Sequence, residues 1–555
     1  MMKASNINLK VNIGTYSYFN SSAPLTLGSN IFKGNQVVTG SFRVSGSIES
    51  SHDNLGAEGG QLILRGPVNR YNVDMNSIDY VTSFLEYSVV RDMLKAICGY
   101  DLTKEKFIKT EHHETHCALA YYFSGFEDDT LVVAIDGSGE HHSAKYYLGS
   151  QGKMEYIDGI ELDRYSIGMY YSALTELLGF KRLKDEGKVV GLAGHGKFDP
   201  IYYPIFKNAL LLEDGLKTKK STFPDPYDRS GGGVYEEIFT NFFKLMGSKI
   251  DWKRDSHRKN IAYCGQLVFE ETILEILNTL HNKYPHVKKL ALSGGVFANV
   301  KMNKKINELE WLDEVFITPP MGDEGLPLGS LALVLKEFYP SFKPTRLKDV
   351  YFGLEFSEVE VDEAAQNILG KYIKIPYNVD YVGELLKAKK ILGLFNGRIE
   401  HGPRALGNRT ITCDPTHPET YDIINGKLQR NDFMPFAPAV LDEDANRLFK
   451  VDKSQYTAEF MTMLYDTRDE WKDKLPTVTH PVDKTARIQI VTKESNPFFY
   501  NILKKYKELT GIGCLVNTSF NVHNEPIVNR PEEAFVHLKN EIVDFLVTPY
   551  GIYSK

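Results

Sequence analysis

Short apolar runs alternate with longer segments of helical period along most of the chain. "TLVVAIDG" (130–137), "KKLALSGG" (288–295), "KKILGLFNG" (389–397) and "IGCLVNTS" (512–519) are hydrophobic runs that end in Gly, Asn or Ser. That is the pattern of strands covered on both faces. Between them, "YYSALTELLGF" (170–180) and "AYCGQLVFEETILEILNTLHNKY" (262–284) predict helices. Strands alternating with helices predict an α/β chain. A polar, Pro-containing stretch, "EFYPSFKPTRLKDVYFG" (337–353), separates two such regions and reads as a linker. Near the N-terminus, "GSNIFKGNQVVTGSFRVSGSIES" reads as strands and turns without disclosing a topology.

Composition narrows the class. The 555 residues suffice for two or more domains, and 42% hydrophobic with 25% charged residues suits a globular chain with a real core. A formal net charge of −7 disfavours a broad electrostatic grip on duplex nucleic acid but leaves a free nucleotide open as a substrate. Five scattered cysteines form no CxxC pair, against a disulfide framework or zinc ribbon. No apolar stretch reaches membrane-spanning length and no signal-peptide core follows the first charged residues, so the expectation is a cytoplasmic protein without a membrane partner.

Candidate chemistry begins at "EHHETHCALAYYFSGF" (111–126). His112 and His116 are four apart, which on a helix puts both imidazoles on one face, able to share a metal or simply to form a polar surface. Asp136 ends an apolar strand and opens "DGSGEHH". Asp323 lies in "PPMGDEGLPLGSLALVL", a Gly-rich turn feeding an apolar helix. An aspartate beside glycines suits metal or phosphate binding, and is equally the composition of an ordinary turn or helix cap. "LSGGVFAN" (292–299) repeats the strand, glycine, helix order that cradles phosphates. Three such turns in one region point to nucleotide binding.

These segments carry a family resemblance. "EHHETHCALAYYFSGF", "LVVAIDGSGE", "DEGKVVGLAGHG" (185–196), "LSGGVFANVKMN" and "GDEGLPLGSLA" resemble, in order, blocks of the NodU/CmcH/TobZ-type O-carbamoyltransferases. So do "NGRIEHGPRALGNRTITCDP" (396–415), "MPFAPAVL" (434–441), "VTHPVDKTARIQIV" (478–491) and "NTSFNVHNEPIV" (517–528). The resemblance implies a Kae1-like domain of the actin/Hsp70/sugar-kinase fold over 1–345, a linker over 346–378 and a YrdC-like α/β domain over 379–555. It implies that the C-terminal domain activates carbamoyl phosphate with ATP, as Mg-ATP, to give carbamoyl adenylate and pyrophosphate. The N-terminal domain then passes the carbamoyl group to a hydroxyl of a small-molecule acceptor: a sugar, an antibiotic-like metabolite or a hydroxymethyl nucleotide. By resemblance His112, His116, Asp136 and Asp323 are metal ligands. An N/O set of this kind favours iron(II), with manganese, zinc or cobalt as alternatives. Gly137, Gly139, Lys188, Gly294, Gly295, Asn299 and Gly322 fall to the nucleotide. Arg398, Arg404, Arg430, Arg487, Asn517 and Ser519 fall to the activating site, where clustered negative charge calls for guanidinium groups. Arg409 belongs to the same blocks.

Three departures stand out. Phe19 and Asn20 occupy the positions of the usual histidine and aspartate in "YFNSSA" (18–23), which leaves His113, with His141 and His142, as expected general bases. Leu428 and Met434 replace a lysine and an arginine in "KLQRNDFMPFAP" (427–438), with Lys427 one residue out of register. Asn524 replaces a glycine. The second departure motivates one alternative, a relative using a different donor; Phe19 and Met434 together motivate another, a metal- and nucleotide-binding partner protein without catalysis.

Overall fold

The computed structural model describes residues 9–13, 26–33, 36–43, 80–83, 87–98, 100–221, 234–246, 254–429, 435–523 and 525–555. Phe19, Asn20, Arg430, Met434 and Asn524 lie outside these residues.

Two five-stranded sheets share one plan. In the first, strands β1 (Leu9–Ile13), β2 (Thr26–Lys33), β3 (Gln36–Arg43), β4 (Tyr80–Ser83) and β5 (Phe107–Lys109) lie in the order β3-β2-β1-β4-β5. The pairs β3/β2 and β2/β1 are antiparallel; β1/β4 and β4/β5 are parallel. In the second, β6 (Thr130–Ile135), β7 (His142–Ser150), β8 (Lys153–Glu161), β9 (Lys289–Ser293) and β10 (Glu314–Ile317) lie in the order β8-β7-β6-β9-β10. Again the hairpin strands are antiparallel and the last two join in parallel.

Strand β6 shows why its sequence is apolar throughout. Leu131, Val133 and Ile135 pack into a core with the helices Ile167–Leu177 and Asp255–Lys283. Val132 and Ala134 meet Cys117, Ala118, Ala120 and Tyr121 of the helix His112–Tyr122 on the other face. That helix packs against the helix Leu326–Phe338, which in turn lies on β1, β2 and β4, so the helix pair sits between the two sheets. Their approach is close: a Cβ on Gly329 would stand 2.1 Å from Thr115 O.

The third sheet has eight strands: β11 (Ile373–Ile375), β12 (Leu392–Phe395), β13 (Arg409–Thr412), β14 (Ala437–Leu441), β15 (Gln489–Val491), β16 (Cys514–Ser519), β17 (Phe545–Thr548) and β18 (Gly551–Ser554). Their order is β11-β18-β17-β12-β13-β16-β14-β15. The stretch expected to be a linker, 346–378, is partly structured. Its helix Glu358–Leu369 packs on the helix Pro531–Lys539, and β11 pairs with β18, because Val361, Ala364 and Ala365 need a buried face.

The C-terminal unit also closes the edge of the second sheet. Ser454 Oγ and Thr457 Oγ1 accept the β10 N–H groups of Val315 (3.1 Å) and Ile317 (3.0 Å). Asn303 Nδ2 donates to Thr462 O (2.6 Å). An open strand edge is thereby satisfied by side chains instead of another strand. Among the described residues no helix is long and apolar enough to cross a membrane.

Candidate functional site

The helix His112–Tyr122 begins where it does because Glu111, in extended conformation, caps it: its carboxylate accepts Glu114 N–H at 2.6 Å. His112 and His116 then project on one face toward the C-terminal ends of β6 and β9. Asp136 follows β6, and Asp323 opens a short 3₁₀ turn before the helix Leu326–Phe338. The four side chains meet. His116 Nε2 is 3.2 Å from Asp136 Oδ2 and 3.5 Å from Asp323 Oδ1; His112 Nε2 is 3.8 Å and 3.5 Å from the same oxygens. One donor atom from each lies within 4.8 Å of every other.

The surroundings fix these donors. Thr318 Oγ1 donates to Ser293 Oγ (3.2 Å), which donates to Met321 O (3.4 Å), so the Ser293 oxygen accepts from His116 Nδ1 at 3.1 Å. With Nδ1 committed as a donor, Nε2 is the nitrogen that faces the carboxylates; its proton is shared with them, and a metal would displace that proton to take the lone pair. Burial pulls the His116 imidazolium down, but Asp136 and Asp323 outweigh it and hold its pKa at about 9. Burial likewise opposes ionisation of Asp136, and the two imidazoles override it, holding the carboxyl well below its usual range. Two carboxylates thus concentrate negative charge at a buried point that calls for a cation. Two imidazoles and two carboxylates fit a divalent ion of the first transition row.

The glycine turns bring the strand ends together. Gly294 has φ +99°, and a Cβ there would stand 2.1 Å from Ile135 O. Gly294 N–H donates to Met321 O at 2.7 Å, tying the turn after β9 to the Asp323 turn. A Cβ on Gly295 would sit 3.0 Å from Asp136 Oδ1, so this glycine keeps the carboxylate approachable. Gly137 N–H donates to Asp136 Oδ1 (2.7 Å), while Gly139 presses against His113. Gly322 lies under the Glu324 carboxylate.

Two expected nucleotide residues are engaged locally. Lys188 pairs with Asp185 at 3.0 Å. Asn299 caps the helix Val300–Asn307, accepting Met302 N–H at 3.0 Å, and exchanges hydrogen bonds with Gln266. His113 is fully buried with neither ring nitrogen hydrogen-bonded; burial, then the charge of His112 and His116, pushes its pKa well down. His142 is half-buried, and His141 is exposed.

In the C-terminal unit the loop Glu400–Asn408 is clamped. Glu400 Oε1 accepts the N–H groups of Leu406 (2.8 Å), Asn408 (2.7 Å) and Arg409 (3.1 Å). Leu406 O accepts from Gln489 Nε2 and Tyr351 Oη, both at 2.8 Å. Asn517 Nδ2 donates to Ala405 O (2.9 Å) and Gln489 Oε1 (2.6 Å), and its Oδ1 accepts from Thr410 (3.0 Å). The Asn517 amide is therefore occupied in holding the loop. What the loop presents is Arg404. Its Nε is buried without a hydrogen bond, no carboxylate pairs with it among the described residues, and burial lowers its pKa to about 10, with Glu324 opposing.

The other expected groups differ. Arg398 is partly exposed, 3.7 Å from Glu355. Arg487 and Ser519 are half-buried beside β15 and at the end of β16. Arg409, fully buried, donates to the carbonyls of Asn396 (2.7 Å), Asn408 (3.0 Å) and Gly397 (3.2 Å) and stacks 3.7 Å from the Phe395 ring centroid, a structural placement. Lys427 turns away to Glu541 O (2.7 Å) and Asp544 (3.3 Å), and Leu428 is buried in the core. Neither therefore stands in for the missing lysine. Sequence reasoning passed over Glu400 and Glu324. Glu324 had a signal, its place next to an expected ligand; Glu400 had none.

A His/Asp group able to hold a metal, beside a half-buried guanidinium that no carboxylate pairs with among the described residues, has the parts of a group-transfer enzyme with an anionic donor. The family profile described as Carbamoyltransferase N-terminus matches residues 70–332, and that described as Carbamoyltransferase C-terminus matches 383–555. Protein MJ1058 of Methanocaldococcus jannaschii is 37% identical over 452 residues, covering 76% of this chain and 70% of the relative. Nodulation protein NolO of Bradyrhizobium diazoefficiens is 30% identical, covering 79% and 77%. The 3'-hydroxymethylcephem-O-carbamoyltransferase of Amycolatopsis lactamdurans is 27% identical, covering 81% of each chain. The chain belongs to the NodU/CmcH-type carbamoyltransferase family and is an enzyme of that class.

Proposed function

We propose that this carbamoyltransferase is an ATP-dependent O-carbamoyltransferase acting through carbamoyl adenylate. The observation that carries the reading is Arg404: a half-buried guanidinium whose Nε is buried without a hydrogen bond, with no carboxylate paired to it among the described residues, held on a clamped loop beside the Asp323 turn. A partly desolvated guanidinium of that kind is suited to an incoming anion. Carbamoyl phosphate and ATP are such anions. The relatives named as O-carbamoyltransferases support a hydroxyl acceptor of small-molecule size.

In this scheme water splits carbamoyl phosphate to carbamate and phosphate. A carbamate oxygen attacks the α-phosphorus of ATP, and pyrophosphate leaves. The acceptor hydroxyl then attacks the carbamoyl carbon, its proton goes to a base, and AMP departs with the bonding pair. Arg404, with Arg398, Arg487 and Ser519 as further proposed contacts, binds the phosphate oxygens and offsets their charge. Asn517 and Glu400 position Arg404. His113, kept neutral by burial, is the proposed base; the Gly139 turn over it must give way for an acceptor to reach it. His112, His116, Asp136 and Asp323 would hold a divalent ion, iron(II) by preference, which when bound supplies Lewis-acid polarisation. The glycine turns after β6 and β9 are the proposed contacts for nucleotide phosphates.

The repeated strand order of the first two sheets supports the Kae1-like, actin/Hsp70/sugar-kinase-type assignment for the N-terminal unit, with a YrdC-like unit after it. The contacts of the helix Glu358–Leu369 and of β11 with the third sheet's unit support a C-terminal unit that begins earlier than expected, near residue 355. The test is pyrophosphate release from ATP with carbamoyl phosphate, wild type against Arg404→Ala. Carbamoyl-phosphate-dependent release lost in the variant is expected. Release independent of carbamoyl phosphate, or unchanged in Arg404→Ala, would overturn the reading.

A further inference from the structure

The turn that carries Asp323 also carries Glu324. Its Oε1 accepts Gly322 N–H at 3.2 Å, so the side chain folds back over its own turn instead of reaching for solvent. The C-terminal loop lies on its other side. The His401 ring approaches the Glu324 main chain, and a Cβ on Gly402 would stand 3.3 Å from Pro319 O. Glu324 is also the carboxylate whose charge acts on Arg404, yet the two do not close into an ion pair. A half-buried carboxylate and a half-buried guanidinium therefore face one another across the two loops without closing an ion pair, with the Asp323 carboxylate alongside.

An anion bound at Arg404 would be repelled by Glu324 and Asp323 unless it turned a hydrogen-bond donor toward them. Among small activated acyl phosphates, the carbamoyl group is set apart by its planar NH₂, which donates; an acetyl group offers a methyl in its place. We propose that Glu324 is a specificity-determining residue: its carboxylate accepts a hydrogen bond from the carbamoyl amino group while Arg404 holds the attached phosphate. This inference rests on the donor reading above. It assigns the choice of carbamoyl over acyl to a side chain of the metal-bearing unit, not of the unit that presents Arg404.

The experiment compares calorimetric binding of carbamoyl phosphate, acetyl phosphate and inorganic phosphate to the full-length, metal-loaded protein. A polar site left facing a methyl rejects it strongly, so the wild type should prefer carbamoyl over acetyl phosphate by about tenfold or more. In Glu324→Gln the amide oxygen can keep Gly322 N–H while its NH₂ meets the ligand's NH₂, and the preference should narrow to about threefold or less. Glu324→Met should give the same narrowing with no donor at all. Metal content and inorganic phosphate affinity should hold within about twofold in Glu324→Gln, which separates a lost contact from a collapsed turn. A full carbamoyl preference in both variants would overturn the proposal. So would narrowing only in protein that has also lost its metal. If the wild type gives no carbamoyl-phosphate-dependent pyrophosphate release, the donor reading itself fails and takes this one with it; if release is normal but the variants still discriminate, only Glu324 is misassigned.

Discussion

Replacing Glu400 by alanine strands three backbone N–H groups at once. Glu400 Oε1 accepts from Leu406, Asn408 and Arg409, and the side chain is buried, so water does not readily take its place. Each buried donor left without an acceptor costs about 1–3 kcal/mol, and partial relaxation of the loop lowers the sum to about 3–5 kcal/mol for Glu400→Ala. Glu400→Gln keeps an oxygen where Oε1 stands but loses the charge that strengthens the bonds. It also sets an NH₂ where Oε2 has no partner, for a loss of about 1–2 kcal/mol. Urea unfolding followed by tryptophan fluorescence orders the three proteins, and pyrophosphate release reports on Arg404. Activity should fall by about a hundredfold in Glu400→Ala, because a misplacement of the loop by about 1 Å is enough. Equal stability losses in the two variants, or an alanine variant within about 1 kcal/mol of wild type, would refute the claim that one oxygen holds this loop.

Three further outcomes are expected. Ser293→Ala removes the acceptor that orients His116 Nδ1, so divalent-metal affinity measured by chelator competition should drop about 10–100-fold, and unchanged affinity would deny Ser293 that role. Burial, against the pull of Arg346, raises the Glu459 carboxyl to about 7, so the folded state holds this proton more tightly than the unfolded chain. Stability is thus full below the unfolded pKa and is lost as pH rises through about 7. Glu459→Gln should therefore gain on wild type by up to about 2–3 kcal/mol at pH 8 and little at pH 4.5, and a pH-independent difference in melting would contradict this. Lys427→Ala should leave the carbamoyl phosphate KM within about twofold, since the ammonium is bound to Glu541 O and Asp544; a rise of about tenfold would put Lys427 in the donor site.

The elements that chemistry rests on were legible wherever one local pattern decided them. The runs 130–137 and 288–295 became β6 and β9, because residues apolar on both sides of a strand need cover on both sides. His112 and His116 share a face by helical spacing alone. Their meeting with Asp136 and Asp323 depends on the parallel pairing of β6 with β9, which the residue types do not encode one by one. Lys188 was read toward a phosphate although Asp185, three residues back, already offered a partner. Asn299 and Asn517 looked like ligand groups because an amide's composition is silent on whether its donors are spent on carbonyls nearby. Arg409 misled for the same reason: nothing in "GNRT" reveals four main-chain oxygens around the guanidinium. Glu400 has no motif because its partners are backbone N–H groups, which every residue but proline carries.

The first and last of the four aspartate and histidine ligands are separated by most of the N-terminal unit, and the last comes after the strand that completes the second sheet. During synthesis the two histidines emerge long before Asp323 exists, and chains are made at about 5–20 residues per second. An emerging chain can therefore offer an ion only two imidazoles and then one carboxylate, a weak and indiscriminate trap. The fourth donor arrives together with the helix Leu326–Phe338, whose Gly329 seats against Thr115. Completion of the candidate ion site is thereby tied to the end of assembly. A chain stopped or cut before residue 323 keeps both histidines and still has no complete site, so under the proposed ligand set metal content would double as a readout of chains that finished folding.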